Sequence, residues 1–285
     1  MTKMLSQPQI DAYHRDGFLF PITAMTPSEA AGFRAELETF ERRVGNKLPE
    51  ADEKYRSRSY LLFDWAQRLV RHPAILDAVE DVIGQDILVY TATWFIKEPG
   101  TDAFTAWHQD ATHFGLDPNH LHVTAWIALS DATTDSGCMQ FLPRSIKDGQ
   151  RAHSIGLRSS INAAGQFIRD SPDEQEITDC TLMPGQFSLH NTLLVHRSGA
   201  NLSNDRRIGL GISYIPTSVR HVGSARVPAH LVRGEDRYGH FDLDPAPVGD
   251  FDNAAQEVHA SSYRRWRDAY VRETERHQQQ YLAAE

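Results

Sequence analysis

Trp107-His108-Gln109-Asp110 puts an imidazole and a carboxylate two residues apart. In an extended strand alternate side chains share a face, so His108 and Asp110 would both reach one metal ion. A third donor, His196, closes the apolar run Leu193-Leu194-Val195, from which a core strand would deliver it to the mouth of a barrel. Two imidazoles and one carboxylate on one face of an octahedron leave three positions open, which suits an iron(II) ion that must also bind a co-substrate and O2. The same donors would leave a position for water on zinc, so metal-assisted hydrolysis stays open on these residues alone. Serine hydrolysis does not, because the chain has no Gly-x-Ser-x-Gly elbow to expose a nucleophile. Eleven residues after His196 comes Arg207, opening the strand-like run Arg207-Ile208-Gly209-Leu210. A guanidinium grips a carboxylate through two parallel hydrogen bonds, the chemistry needed to hold the far end of 2-oxoglutarate while its keto-acid end chelates a metal. Taken alone, Arg206 and Arg207 could as well be a pair that ends a loop.

The elements that must position these groups are β-strands behind a helical lead-in. Residues 7–16 can form a short helix with Ile10 and Tyr13 on one face and Gly17 as its stop. Thr26-Pro27-Ser28-Glu29 starts a second helix running to about residue 44, with Phe33, Leu37 and Phe40 turned inward. A third follows Pro73 and stops at Gly84. From residue 87 to 96 the chain is dense in β-branched and aromatic residues, which predicts a long strand. Shorter strands are expected at 123–129, 139–142, 186–189, 193–196 and 208–215. Many short strands without crossover helices between them point to a mainly β sandwich or barrel with flanking helices. We read residues 1–285 as one domain: a helical part at about 6–84, a core at about 86–216 interrupted by an insertion at about 147–179, and a C-terminal part at 217–285. That last part reads as coil through residue 252 and helix from about residue 254.

Composition narrows the partners. A formal net charge of −9 disfavours a broad nucleic-acid footprint, which needs clustered Lys and Arg. The densest basic patch, Arg264, Arg265 and Arg267, is interleaved with Asp268, Glu273 and Glu275 and reads as a solvated helical face. No run approaches the roughly 20 apolar residues of a membrane span, and the first 18 residues lack a signal-like pattern, so a cytoplasmic protein that does not engage membranes is expected. Cys138 and Cys180 are too few for a disulfide framework. His113, His120 and His122 read as pocket lining or surface rather than a second metal site, and His190 as a satisfied barrel residue. Arg151 and Arg158 read as exposed loop arginines, and Trp94, Phe95 and Phe104 as core or pocket wall.

Four motifs occur in order: Gln9 to Phe18, then Trp107-His108-Gln109-Asp110, then Gly137-Cys138-Met139-Gln140-Phe141-Leu142-Pro143-Arg144-Ser145, then His196-Arg197-Ser198-Gly199-Ala200-Asn201 with Arg207. Together they resemble the phytanoyl-CoA dioxygenase family of iron(II) and 2-oxoglutarate oxygenases over most of the chain. The resemblance implies a double-stranded β-helix, or jelly roll. It implies that His108, Asp110 and His196 bind iron, that Arg207 pairs with the distal carboxylate of 2-oxoglutarate, and that Ser198 hydrogen-bonds nearby. Trp126, Thr91 and Thr93 match positions around the same co-substrate, Gln109 is the usual spacer in a co-substrate-binding motif, and Arg197 replaces the glycine common after the distal histidine. Thr112, His113 and Phe104 are the substrate-side expectations. Related halogenases carry a small residue where this chain has Asp110, so the resemblance favours hydroxylation, or another oxidation of an unactivated C–H, over halogenation. The expected activity consumes 2-oxoglutarate and O2 and releases succinate and CO2 while oxidising a small molecule, for instance one of secondary metabolism, in a monomer or homodimer. The alternatives are a jelly-roll binding protein without catalysis and a zinc-dependent hydrolase.

Overall fold

The computed structural model describes residues 2–157, 160–162, 165–170, 176–223 and 226–282. Two sheets face each other. The larger runs, in spatial order, Phe18–Thr23, Gln186–Asn191, Val123–Ala128, Arg207–Pro216, Ile87–Lys97, Pro228–Arg233 and Asp242–Leu243. The smaller runs Thr105–His108, His196–Ser198, Met139–Phe141 and Thr178–Cys180. Apart from the terminal Pro228–Arg233 and Asp242–Leu243 pair, neighbouring strands in these sheets are antiparallel and out of sequence order, as in a jelly roll.

Side-chain parity on two central strands divides core from cavity. On Arg207–Pro216 the even residues Ile208, Leu210, Ile212 and Tyr214 join Ala92, Trp94 and Ile96 of the neighbouring strand, and this face packs on Phe33, Leu37, Trp65, Leu69 and Ile75 from the helices. The odd residues Gly211 and Ser213 face the cavity with Thr91, Thr93 and Phe95. A register shift between Ser213 and Tyr214 lets Leu88 and Tyr90 join a second apolar cluster with Trp266 and Tyr270. Glycine is required on the cavity side of this sheet: a Cβ on Gly209 would lie 1.8 Å from Trp126 Cζ2, and one on Gly211 would lie 2.9 Å from Phe95. Those absent side chains make room for the rings that line the pocket.

The helices form where their capping residues place them. Gln7–Asp16 ends at Gly17 with φ 89°, and Pro27–Val44 starts on Thr26, whose hydroxyl accepts the Glu29 amide at 3.2 Å. Pro73–Ile83 also matches its sequence expectation. Elements that were not expected include the helix Asp64–Val70, the strand Thr178–Cys180 and the edge strand Phe18–Thr23, where Pro21 falls at a register shift that spares it a ladder donor. The expected strand at 193–196 begins only at His196. The expected coil between 217 and 252 contains Pro228–Arg233, which covers the otherwise open edge of Ile87–Lys97. The terminal helix Asn253–Leu282 packs Trp266, Ala269 and Tyr270 against Tyr90, Phe114 and Phe241. Among the described residues no helix is long and apolar enough to cross a membrane.

Candidate active site

His108 is the last residue of its strand and His196 the first of the neighbouring one, and the two are register partners. Their ring centroids stand 4.1 Å apart. Each ring has its Nδ1 beside a carbonyl two residues earlier, Ala106 O at 2.9 Å for His108 and Leu194 O at 3.0 Å for His196. An Nδ1–H donated there leaves Nε2 as the lone-pair atom on both rings. The two Nε2 atoms lie 3.5 and 3.9 Å from Asp110 Oδ1. One donor atom from each residue lies within 4.8 Å of the other two, and no other such group occurs among the described residues. Burial, and then neighbouring His108, pushes His196 down to about 3, so its imidazole is neutral. Burial alone would raise Asp110, but the His108 and His190 rings beside it hold its carboxyl well below the usual range.

The route to this convergence differs from the expected extended pair. The strand ends at His108, and Asp110 takes helical angles (φ −64°, ψ −30°) at the start of the one-turn helix Ala111–Phe114. A turn, not strand parity, swings the carboxylate back toward the imidazoles. Asp110 Oδ2 is then held from behind by the Thr124 hydroxyl at 3.3 Å and lies 3.5 Å from His190 Nε2. His190, expected as an ordinary barrel residue, is therefore part of the carboxylate's setting.

An inner pocket of about 40 Å³ adjoins the three donors and is lined by Phe95, Trp126, His190, Ser198 and Arg207. Arg207 is buried, donates to the Gly137 carbonyl at 2.8 Å, and has its guanidinium 5.2 Å from the Trp126 ring centroid. Burial lowers it to about 10, which still leaves a cation at neutral pH. No carboxylate pairs with it among the described residues. Beyond His108 and Asp110 opens a larger cavity of about 460 Å³, lined by Thr91, Thr93, Arg56, His113, Trp266 and Tyr270 among others. His108 and Asp110 belong to both spaces.

Several expected residues lie elsewhere. Gln109 is fully buried, but its amide donates to the Gly149 and Leu193 carbonyls and accepts from the Arg151 amide, so it staples the insertion to the ligand loops instead of facing the co-substrate pocket. Thr112 hydrogen-bonds the Gln109 carbonyl behind the cavity wall, and Phe104 is not among the residues that line either space. His122 is buried with no hydrogen-bond partner for either ring nitrogen among the described residues, and His120 is exposed. Arg158 lies outside the described residues. The sequence reading passed over Lys97, Arg56, Trp266 and Tyr270. Tyr270 and Trp266 sit four residues apart on the terminal helix, an apolar spacing that could have signalled an inward face.

Comparison with known proteins bears on this geometry. Residues 13–209 match the family model described as phytanoyl-CoA dioxygenase (PhyH). A solved structure described as the non-heme monooxygenase ThoJ, apo form, is 33% identical with a TM-score of 0.84, over 94% of this chain and 99% of that one. CytC3 with Fe(II) and alpha-ketoglutarate is 21% identical with a TM-score of 0.66, over 88% of this chain and 98% of that one, a likeness of fold. Peroxisomal phytanoyl-CoA dioxygenase of Rattus norvegicus is 24% identical over 84% of this chain and 78% of its own length. The phytanoyl-CoA dioxygenase domain-containing protein 1 homolog of Caenorhabditis elegans is 26% identical over 50% of this chain, which spans about half of that relative (51%).

Proposed function

This chain belongs to the phytanoyl-CoA dioxygenase family, and from that premise we propose that it oxidises a small molecule with iron(II), 2-oxoglutarate and O2, releasing succinate and CO2. One observation carries the reading: a buried pocket holds two imidazoles, one carboxylate and a guanidinium without an acidic partner among the described residues. The donor set suits iron(II) with open positions, since it offers no thiolate and fewer than four protein ligands. When bound, the iron supplies O2 activation coupled to oxidative decarboxylation of 2-oxoglutarate. His108, Asp110 and His196 would hold it.

The chain's own residues do the rest. Backbone carbonyls behind His108 and His196 fix both rings with Nε2 forward, and Thr124 and His190 fix the carboxylate. Arg207 and Ser198 would take the far carboxylate of 2-oxoglutarate against Trp126. Thr91 and Thr93 lie on the adjoining cavity wall, with His113 on the substrate side. A zinc hydrolase would leave Arg207 buried without a counter-ion, which is costly. We read the chain as one domain, because the cavity draws on the helical part, the jelly roll and the terminal helix alike. Asp110 keeps the carboxylate that chloride would have to displace, so the reaction is oxygenation rather than halogenation. A substrate small enough for about 460 Å³ fits the reading, and the likeness to a non-heme monooxygenase supports oxygen insertion.

The test is succinate release from 2-oxoglutarate with added iron(II) and ascorbate, against a metabolite panel screened by mass spectrometry for a gain of one oxygen. His108→Ala and Asp110→Ala should abolish coupled turnover. Wild-type succinate release from either variant would overturn the metal assignment, and a chlorinated major product in chloride would overturn the choice of oxygenation.

A further inference from the structure

Lys97 ends the long central strand and is the register partner of Arg207. Its side chain is fully buried, and no carboxylate pairs with it among the described residues. The amine donates to Ser198 Oγ at 2.7 Å and to the Gly199 carbonyl. Arg207 beside it is 2% exposed and equally lacks an acidic partner. Two adjacent basic groups in a dry site without a counter-anion are costly unless a ligand supplies the charge or one of them sheds its proton.

The surroundings say which one yields. Burial, and then Arg207, pushes Lys97 down to about 6, so near neutral pH it is mostly the free amine. Cys138 is the other titratable group facing it, and burial pushes that thiol up to about 11, which leaves it uncharged. Glu98, next in sequence, is engaged by Arg206 and Lys47. As a free amine Lys97 has two N–H groups, and Ser198 Oγ and the Gly199 carbonyl use both. Since Ser198 Oγ accepts from Lys97, its own hydroxyl proton is left to point elsewhere, and Ser198 lines the inner pocket with Arg207.

Resting on the 2-oxoglutarate reading above, we propose that Lys97 is a positioning residue for the co-substrate: it aims the Ser198 hydroxyl at the far carboxylate and takes up one proton from solvent as that carboxylate binds. The proton ends on Nζ, and no other bond is made or broken. The sign follows from linkage. An arriving anion raises the Lys97 pKa, so affinity is greatest where Lys97 is already protonated. Above about 6 affinity falls, by at most tenfold per pH unit, until the bound-state pKa is passed. Arg207 does not titrate in this range.

The experiment is calorimetric titration of 2-oxoglutarate into protein saturated with Mn(II), a redox-quiet stand-in for iron(II), across neutral pH and in buffers of differing ionisation enthalpy. The wild type should take up close to one proton per 2-oxoglutarate and weaken as pH rises. Lys97→Met should bind about tenfold more weakly at the acid end, a change equivalent to one pKa unit of coupling, and should lose both proton uptake and pH slope. Lys97→Arg, a permanent cation, should restore affinity without restoring the slope. A wild type that binds with no proton uptake, or a Lys97→Met variant with wild-type affinity and slope, overturns the proposal. If Lys97→Met does not fold, the wild-type proton count alone decides. Failure of the underlying reading looks different: 2-oxoglutarate would not bind the Mn(II)-loaded wild type, or Arg207→Gln would bind it unimpaired.

Discussion

His108 and His196 face one another across two short antiparallel strands, ring centroid to ring centroid at 4.1 Å, each tethered through Nδ1 to its own backbone. Packing two imidazoles and a carboxylate out of water costs stability unless a metal compensates. Replacing His196 with Gln should therefore abolish metal retention, measured by elemental analysis after iron(II) loading and desalting. The metal-free variant should nonetheless melt at or above the wild-type temperature.

Thr124 reaches the far oxygen of Asp110, so on the proposed function its hydroxyl would act on the metal through the carboxylate. Removing such a support costs roughly 10–100-fold in metal affinity. Thr124→Val, which keeps the shape, should show that loss in a competition titration with a chelator, and unchanged affinity would remove Thr124 from the site.

Gly209 lies under the Trp126 ring with no room for a methyl group. Gly209→Ala must push that indole into the inner pocket or distort the strand, and overpacking of this kind costs about 1–3 kcal/mol. Denaturant unfolding should register the loss, and titration should show weaker 2-oxoglutarate binding, since Trp126 and Arg207 share that wall.

His122 predicts how stability depends on pH. It is 1% exposed, neither ring nitrogen has a hydrogen-bond partner among the described residues, and burial pushes it down to about 4 from a usual 6.5. A base whose pKa is depressed on folding is stable when neutral, so its contribution is intact above about 6.5 and is lost as pH falls toward 4. The full effect is at most about 3 kcal/mol. His122→Leu should flatten the fall in unfolding free energy between those limits, and an unchanged slope would assign it to other groups.

The sequence was legible where one residue type answers one physical demand. Gly17 and Thr26 cap helices because a left-handed turn and an orphan amide need those residues. His108, Asp110, His196 and Arg207 stood out because few side chains bind metal or carboxylate. What stayed hidden was set by distant contacts. Asp110 was expected on a strand, yet a one-turn helix holds it, since spacing alone cannot distinguish a strand from a turn. Gln109 sits between His108 and Asp110 but points away from them, because three backbone groups of other loops claim its amide. Pro228–Arg233 looked like coil, as a strand opening on proline does until a sheet edge needs covering. Lys97 passed unnoticed at the end of a strand, and it is buried beside Arg207, Ser198 and the Gly199 carbonyl, groups far away in sequence.

The terminal helix Asn253–Leu282 brings Trp266, Arg267 and Tyr270 to the larger cavity, whereas the family match stops at residue 209. On the proposed function, the metal ligands and part of the substrate-facing surface would thus be written on separate stretches of polypeptide. Changes along that helix can retune selectivity while the ligands near residue 108 go untouched. Chimaeras exchanging this segment between relatives are accordingly the direct way to move a new molecule into the same chemistry.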